Sequence, residues 1–366
     1  MFYPKQPLLS AHKLFVVMGF LLIGACGERE PNQWMHEDGR SAGDPVILYS
    51  GGSIYDQSFN ESVFRVIESM ERETGLSIRH IAGYSTDIES DIPSMLEHEP
   101  ALVVGLGYDM STLVNKIAGQ YPHVRFLVVD MPSSHVNVKS ITFRDEESVF
   151  LAGYLAASLV PDVQLGLISG MKTPATGKIA CAFLLGAQQT GAQSRLLYGV
   201  VGDTAAAWQD MTTPVAMSRA ILNRDVDVLL VTAGLVNTTL HKIFRGRADV
   251  HTVSVDVNRN SIAPGSIMTS VVKDAGLAVV DALEDIRNGD WKNESVTYGL
   301  KDKIINIIFD QHNAAVVPVE VQTEINKIKA DIMDGRYDKP LISDTCESHT
   351  DYILSDDPDV KAYLEY

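Results

Sequence analysis

The densest run of residues able to do chemistry is Gly51-Gly52-Ser53-Ile54-Tyr55-Asp56-Gln57-Ser58-Phe59-Asn60. It follows a short apolar run, Val46 to Ser50, and precedes a stretch with helical spacing from Ser62 to Thr74. Two Gly let the backbone approach a bound molecule, Phe59 offers a ring face, and Asn60 can both donate and accept hydrogen bonds. In an open α/β sheet, ligands bind at the carboxyl ends of the strands, where this loop lies. The same residues also fit a local role, with Asp56 or Ser58 capping the helix and Phe59 in the core. Local chemistry leaves both readings open.

The rest of the chain lacks the machinery of common catalysts. No G-x-S-x-G nucleophile elbow and no Walker A run occurs in the sequence. Gly105-Leu106-Gly107 follows an apolar run, but Met110 stands where a dinucleotide loop needs its third Gly. The ten His show no metal-ligand spacing, and Cys181 and Cys346 have no C-x-x-C partner. The chain is therefore expected to be no enzyme and to carry no cofactor and no metal; the chemistry on offer is recognition. With Asp and Glu at 47 against Lys and Arg at 30, the formal charge is -17, so no nucleic-acid partner is expected.

The elements that must position these residues alternate strand and helix. Val46 to Ser50, Ser77 to Ile81, Ala101 to Val104 and Phe126 to Asp130 read as strands. Helical stretches lie between them at Ser62 to Thr74, around Ile92 to Glu97, and at Leu113 to Ala118. Continuous Val, Leu and Ile runs mean strands buried on both faces, the mark of a parallel sheet covered by helices. A second series begins after Phe150, with strands Gln164 to Ser169, Arg195 to Val201, Val228 to Thr232 and Val250 to Val255. The 366 residues, 45% of them hydrophobic, suit two such lobes. The expected architecture is α/β, with two Rossmann-like lobes and parallel sheets. Residues 45–150 form the first lobe, with a return segment at about 275–300, and residues 151–270 the second, with about 301–337. The tail, residues 338–366, is acidic and without clear periodicity, and is expected to be loosely attached.

Residues 1–25 have a basic start at Lys5, His12 and Lys13, an apolar stretch from Leu14 to Ile23, then Gly24 and Ala25. That pattern is a secretory signal, too short to span a bilayer core of about 20 apolar residues. Ile23-Gly24-Ala25-Cys26 looks like a lipobox, in which Cys26 takes a diacylglycerol and anchors the mature chain to the lipid bilayer. Residues 26–44 read as a polar tether. The expected location is the cell membrane, lipid-anchored, facing the periplasm or cell exterior. An exported location permits a disulfide between Cys181 and Cys346, and free buried thiols fit equally well.

Several ordered motifs resemble the basic membrane protein family, nucleoside-binding lipoproteins of ABC transporters with the type I periplasmic-binding fold. The loop at 51–60 is similar to that family's G-x-I-x-D-x-S-F-N signature, and Glu147 to Ala157 to its E-x-x-F-L-A-G-Y-L-A-A run. Val103 to Tyr108, Tyr121-Pro122, Phe126 to Asp130, Ser254 to Asn258, Pro264-Gly265 and Thr269 to Lys273 add to the likeness. The resemblance implies a substrate-binding lipoprotein that captures a nucleoside, a purine nucleoside in the first instance, and hands it to an ABC permease as a monomer. It implies that Phe59 and Trp208 hold the base, that Asn60 and Asp130 hydrogen-bond the ligand, and that Asp256 with Lys273 faces the ribose. Lys273 has a second reading as the partner that neutralises Asp256. Tyr108 and Gly234 fall on the matching loops, with Gly234 expected to bring backbone close to the sugar. Where family members commonly carry Asp just before the Gly pair, this chain has Ser50, and a hydroxyl lacks the charge-assisted strength of a carboxylate. Ser50 thus implies lower affinity or a different ligand. A surface sensor or adhesin keeping the same fold is the rival reading; a nucleoside hydrolase would need clustered Asp around calcium, and the sequence shows no such cluster.

Overall fold

A computed structural model describes residues 34–36 and 38–364. The signal segment and Cys26 lie outside the described residues. In chain order the elements are β1 (Val46–Tyr49), α1 (Phe59–Thr74), β2 (Arg79–Ala82), α2 (Ser85–Glu89), α3 (Ile92–Leu96), β3 (Val103–Leu106), α4 (Gly107–Ile117), β4 (Phe126–Val129) and β5 (Val138–Phe143). Next come α5 (Asp145–Leu159), β6 (Leu165–Met171), α6 (Pro174–Gln188), β7 (Leu196–Gly202), α7 (Thr213–Leu222), β8 (Val228–Thr232), α8 (Asn237–Ile243), β9 (His251–Asp256) and β10 (Ile267–Lys273). The chain ends with α9 (Ala275–Asn288), β11 (Ser295–Tyr298), β12 (Ile305–Ile308), α10 (Val319–Met333), β13 (Thr350–Leu354) and α11 (Pro358–Leu364).

Two sheets result, one in each lobe. The first runs β11-β5-β4-β3-β1-β2 and the second β12-β10-β9-β8-β6-β7-β13. Every pairing is parallel except that of β12 with β10. The central strands β1, β3, β4 and β8 are buried along their whole length, as their unbroken apolar runs require. β5 escapes a reading by apolar runs because Lys139, Ser140 and Thr142 interrupt it. Lys139 is nonetheless buried, its ammonium 2.6 Å from Asp285 of α9. The segment from Ser295 to Ile308 contributes β11 to the first sheet and β12 to the second, so the chain crosses between lobes there. α5 lies on α6 at very close range: a Cβ on Gly153 would sit 2.0 Å from the Phe183 carbonyl oxygen, and one on Gly186 at the same distance from that of Phe150. Among the described residues no helix is long and apolar enough to cross a membrane.

Two peripheral segments differ from expectation. The C-terminal tail is not loosely attached. Its β13 pairs in parallel with β7, α11 packs on α7, and a disulfide joins Cys181 of α6 to Cys346. Sequence reading missed the strand because only Ile353 of its five residues is buried, the pattern of an edge. The described end of the tether is also folded. Trp34 is 3% exposed, its indole donates to the Ser77 carbonyl at 3.0 Å, and the Ala42 amide donates back to the Trp34 carbonyl at 2.8 Å.

Candidate ligand-binding site

The carboxyl ends of β1, β3 and β4 in one lobe face those of β6 to β10 in the other, and one cavity lies between them. Ser50, Asp56, Phe59, Asn60, Tyr108, Asp130, Trp208, Gly234, Asp256 and Lys273 all line it. The sequence thus brings together every site residue it named within the described chain. The cavity has a volume of about 120 Å³. One water needs only about 10–15 Å³ of such space, so the room suits a small organic molecule.

In the first lobe the local role and the lining role coexist. Gly51 takes the left-handed conformation at φ +76° that turns the chain out of β1. The Asp56 carboxylate accepts from the amides of Ser58 at 2.8 Å, Asn60 at 3.1 Å and Glu61 at 3.0 Å, capping α1. Burial nevertheless pushes its pKa up to about 6, against the pull of those three donors. Both hydrogens of the Asn60 amide go to loop carbonyls, Ser50 and Ser53, each at 2.8 Å. Asn60 therefore offers the cavity an acceptor only.

In the second lobe, Trp208 sits on a single 3-10 turn, Ala205–Gln209, after β7. Two glycines make its seat. A Cβ on Gly170 would stand 2.3 Å from the indole, and one on Gly234, which has φ +71°, would stand 2.4 Å from the Trp208 carbonyl oxygen. Gly234 thus lets its backbone approach Trp208 closely while also lining the cavity.

Charge gathers where the lobes meet. Asp130 and Asp256 each end a strand with φ at +71° and +67°, a conformation uncommon outside Gly and stored at ligand clamps. The Lys273 ammonium lies 3.1 Å from Asp130 and 3.2 Å from Asp145, and 5.2 Å from the Phe59 ring centroid. Its direct partners are thus Asp130 and Asp145, not Asp256 as its second reading expected. Burial works against this ammonium, yet Asp130, Asp145 and the more distant Asp256 outweigh it and hold the pKa above the usual lysine range. Asp256 instead accepts a 2.5 Å hydrogen bond from the Ser58 hydroxyl of the first lobe.

Sequence reasoning missed several residues of the site. Thr173 and Thr176 form a reciprocal capping box at the start of α6 and line the cavity, and the Thr-x-x-Thr run before an apolar helix was the available signal. Arg259 and Asn237 reach the first-lobe loop from the second lobe, and neither sits in a motif that announces it. Among the described residues no group of three or more His, Cys, Asp or Glu could hold a metal ion.

A two-lobed α/β body with a cavity between facing strand ends is the design of solute-binding proteins. Residues 45–338 match the family model for PnrA-like ABC transporter substrate-binding proteins, Bmp, and the chain belongs to that family. An uncharacterized lipoprotein of Pyrococcus horikoshii is 28% identical over 309 residues, which cover 78% of this chain and 73% of the relative. Basic membrane protein A of Borreliella afzelii is 22% identical over 319 residues, 85% of this chain and 96% of the relative. The crystal structure of an ABC transporter solute-binding protein from Aeropyrum pernix superposes with a TM-score of 0.71 at 20% identity, covering 83% of this chain and 95% of that one. The last likeness speaks to fold alone.

Proposed function

We propose that the cavity takes a purine nucleoside, with the base between Phe59 and Trp208 and the ribose hydroxyls toward Asp130 and Asp256. The observation that carries this reading is one aromatic ring from each lobe lining a single cavity that also holds two strand-end carboxylates. Offset stacking on aromatic rings suits a flat base, each pair contributing on the order of 1 kcal/mol beyond area burial. Ionised oxygens accept strong hydrogen bonds from paired hydroxyls. The lining holds Asp56, Asp130 and Asp256 against one lysine already paired, which favours a neutral nucleoside over a phosphorylated one. Ser50 lines the same cavity, and its hydroxyl meets the base edge without a carboxylate's strength.

The protein presents this ligand, as a monomer, to an ABC permease. Acylated Cys26 holds it on the membrane outside the cytoplasm, in keeping with the lipoprotein names of its relatives. Closure works as a population shift, since a ligand that touches both lobes favours the arrangement in which they meet. Native mass spectrometry of the purified exported protein tests the reading: a co-purified species with a nucleoside mass supports it, and a sugar, peptide or amino-acid mass refutes it.

A further inference from the structure

The first-lobe loop that carries Phe59 docks into a polar socket on the second lobe, and Arg259 is the centre of that socket. Its side chain is buried, with only 3% of the residue exposed. Within its own lobe the guanidinium is fixed by Nη1, which donates to Ser254 Oγ at 3.0 Å and to the Val255 carbonyl at 2.7 Å. Its backbone amide donates to Ser270 Oγ at 3.0 Å. Nη2 then crosses the boundary and donates to the Gln57 carbonyl. Gln57 has φ +53°, a strained conformation that presents this carbonyl to the socket. The next residue is held too: Asn237 Nδ2 donates to Ser58 Oγ at 3.3 Å, and Ser58 Oγ donates to Asp256 at 2.5 Å.

The three bonds that cross the boundary, Arg259 to Gln57, Asn237 to Ser58 and Ser58 to Asp256, join protein to protein, so they stabilise the arrangement in which the lobes meet whatever the cavity holds. The charges of Asp256 and Asp56 both act on the buried Arg259 guanidinium. Removing it would leave the buried Asp56 and the half-buried Asp256 carboxylates less compensated and a strained carbonyl without its donor. We infer that Arg259 is a positioning residue of the ligand site: it ties the Gln57–Ser58 loop across the lobe boundary and so sets where Phe59 stands relative to Trp208. This rests on the two-lobed binding reading but not on the ligand being a nucleoside.

The test is hydrogen exchange read by mass spectrometry on the exported protein, wild type against Arg259→Ala, with no ligand added. The tie predicts faster exchange on both sides of the boundary, in residues 50–61 of the first lobe and 204–210 of the second, by about tenfold for loss of one hydrogen bond from a charged donor. Residues 204–210 share no bond with Arg259 among those described above, so their response reports the lobes parting. Arg259→Lys, which keeps the charge and one donor, should restore most of the protection. Ser58→Ala, which leaves the charge balance intact, should give a smaller effect in the same segments. If Arg259→Ala is too unstable to purify, the lysine and Ser58→Ala variants carry the same comparison. Exchange raised only within β9 and β10, or raised equally in Arg259→Ala and Arg259→Lys, would overturn the inference. Failure of inosine to bind would leave this experiment untouched and count only against the nucleoside reading.

Discussion

Asp130 and Asp256 occupy the same place in the two lobes. Each ends the third strand of its sheet, counted from the edge made by β11 or β12, and each has a left-handed backbone. One holds Lys273 at 3.1 Å from the opposite lobe and the other receives the Ser58 hydroxyl at 2.5 Å, so each carboxylate is bonded across the boundary. Asn tolerates the same backbone conformation, so Asp130→Asn and Asp256→Asn should fold while losing the charged acceptor. Each should weaken inosine binding by about 1.5–3 kcal/mol, the worth of a hydrogen bond to a charged group. Equal affinity for either variant and wild type in calorimetry would take that carboxylate out of the ligand's reach.

Gly170 sets the position of the Trp208 indole. Any side chain at Gly170 must push the ring away, because the first carbon would lie 2.3 Å from it. Gly170→Ala should therefore weaken inosine binding by about 1–3 kcal/mol, as much as losing one base–aromatic stack. Titration of Gly170→Ala alongside Trp208→Ala checks this, and an alanine at 170 with full affinity would show that the ring's seat does not matter.

His241 gives a pH dependence with a fixed sign. It is fully buried beside Thr252, and burial, helped by the charge of Arg259, lowers its pKa from 6.5 to about 3. The unfolded chain therefore binds a proton at this site between those values and the folded chain does not, so stability is lost as pH falls below 6.5. Asp56, raised to about 6, acts in the opposite direction below that pH, which makes a difference measurement necessary. The stability of wild type minus that of His241→Gln should fall by about 1.4 kcal/mol per pH unit as pH is lowered from 6.5 to 4.5. Denaturant melts at several pH values measure it; parallel pH profiles for the two proteins would contradict the assignment.

The C-terminal tail owes its place to one covalent tie as well as to β13. The double variant Cys181→Ser, Cys346→Ser should lose about 2–4 kcal/mol in denaturant unfolding, the usual contribution of a disulfide. Exchange should rise in residues 338–364 and much less in β1, β3 and β4. Unchanged stability would mean that the strand pairing with β7 alone holds the tail.

The strands that position the site were legible because they are unbroken apolar runs: Phe126 to Val129 delivers Asp130, and Val228 to Thr232 leads to Gly234. The site residues themselves were legible mainly through motif resemblance, since nothing local marks Trp208 or Lys273 as facing a cavity. β5 was hidden by a buried Lys139 whose partner, Asp285, lies far along the chain, and no local pattern carries such a pair. β13 was hidden for the opposite reason, because an edge strand buries too little to show a period. Arg259 was illegible because its role depends on a backbone carbonyl 202 residues away. The partners of Lys273 were misassigned on similar grounds: Asp145 is brought to it by the packing of α5 on β10, and Asp130 comes from the end of β4 in the opposite lobe.

Calorimetric titration of the exported protein with inosine, set beside Phe59→Ala and Trp208→Ala, bears on the central reading most directly. Saturable one-to-one binding to wild type, weakened by about 1–3 kcal/mol in each variant, is the expected result. No heat from inosine, adenosine or guanosine, or full affinity in both variants, would contradict a nucleoside held between those two rings.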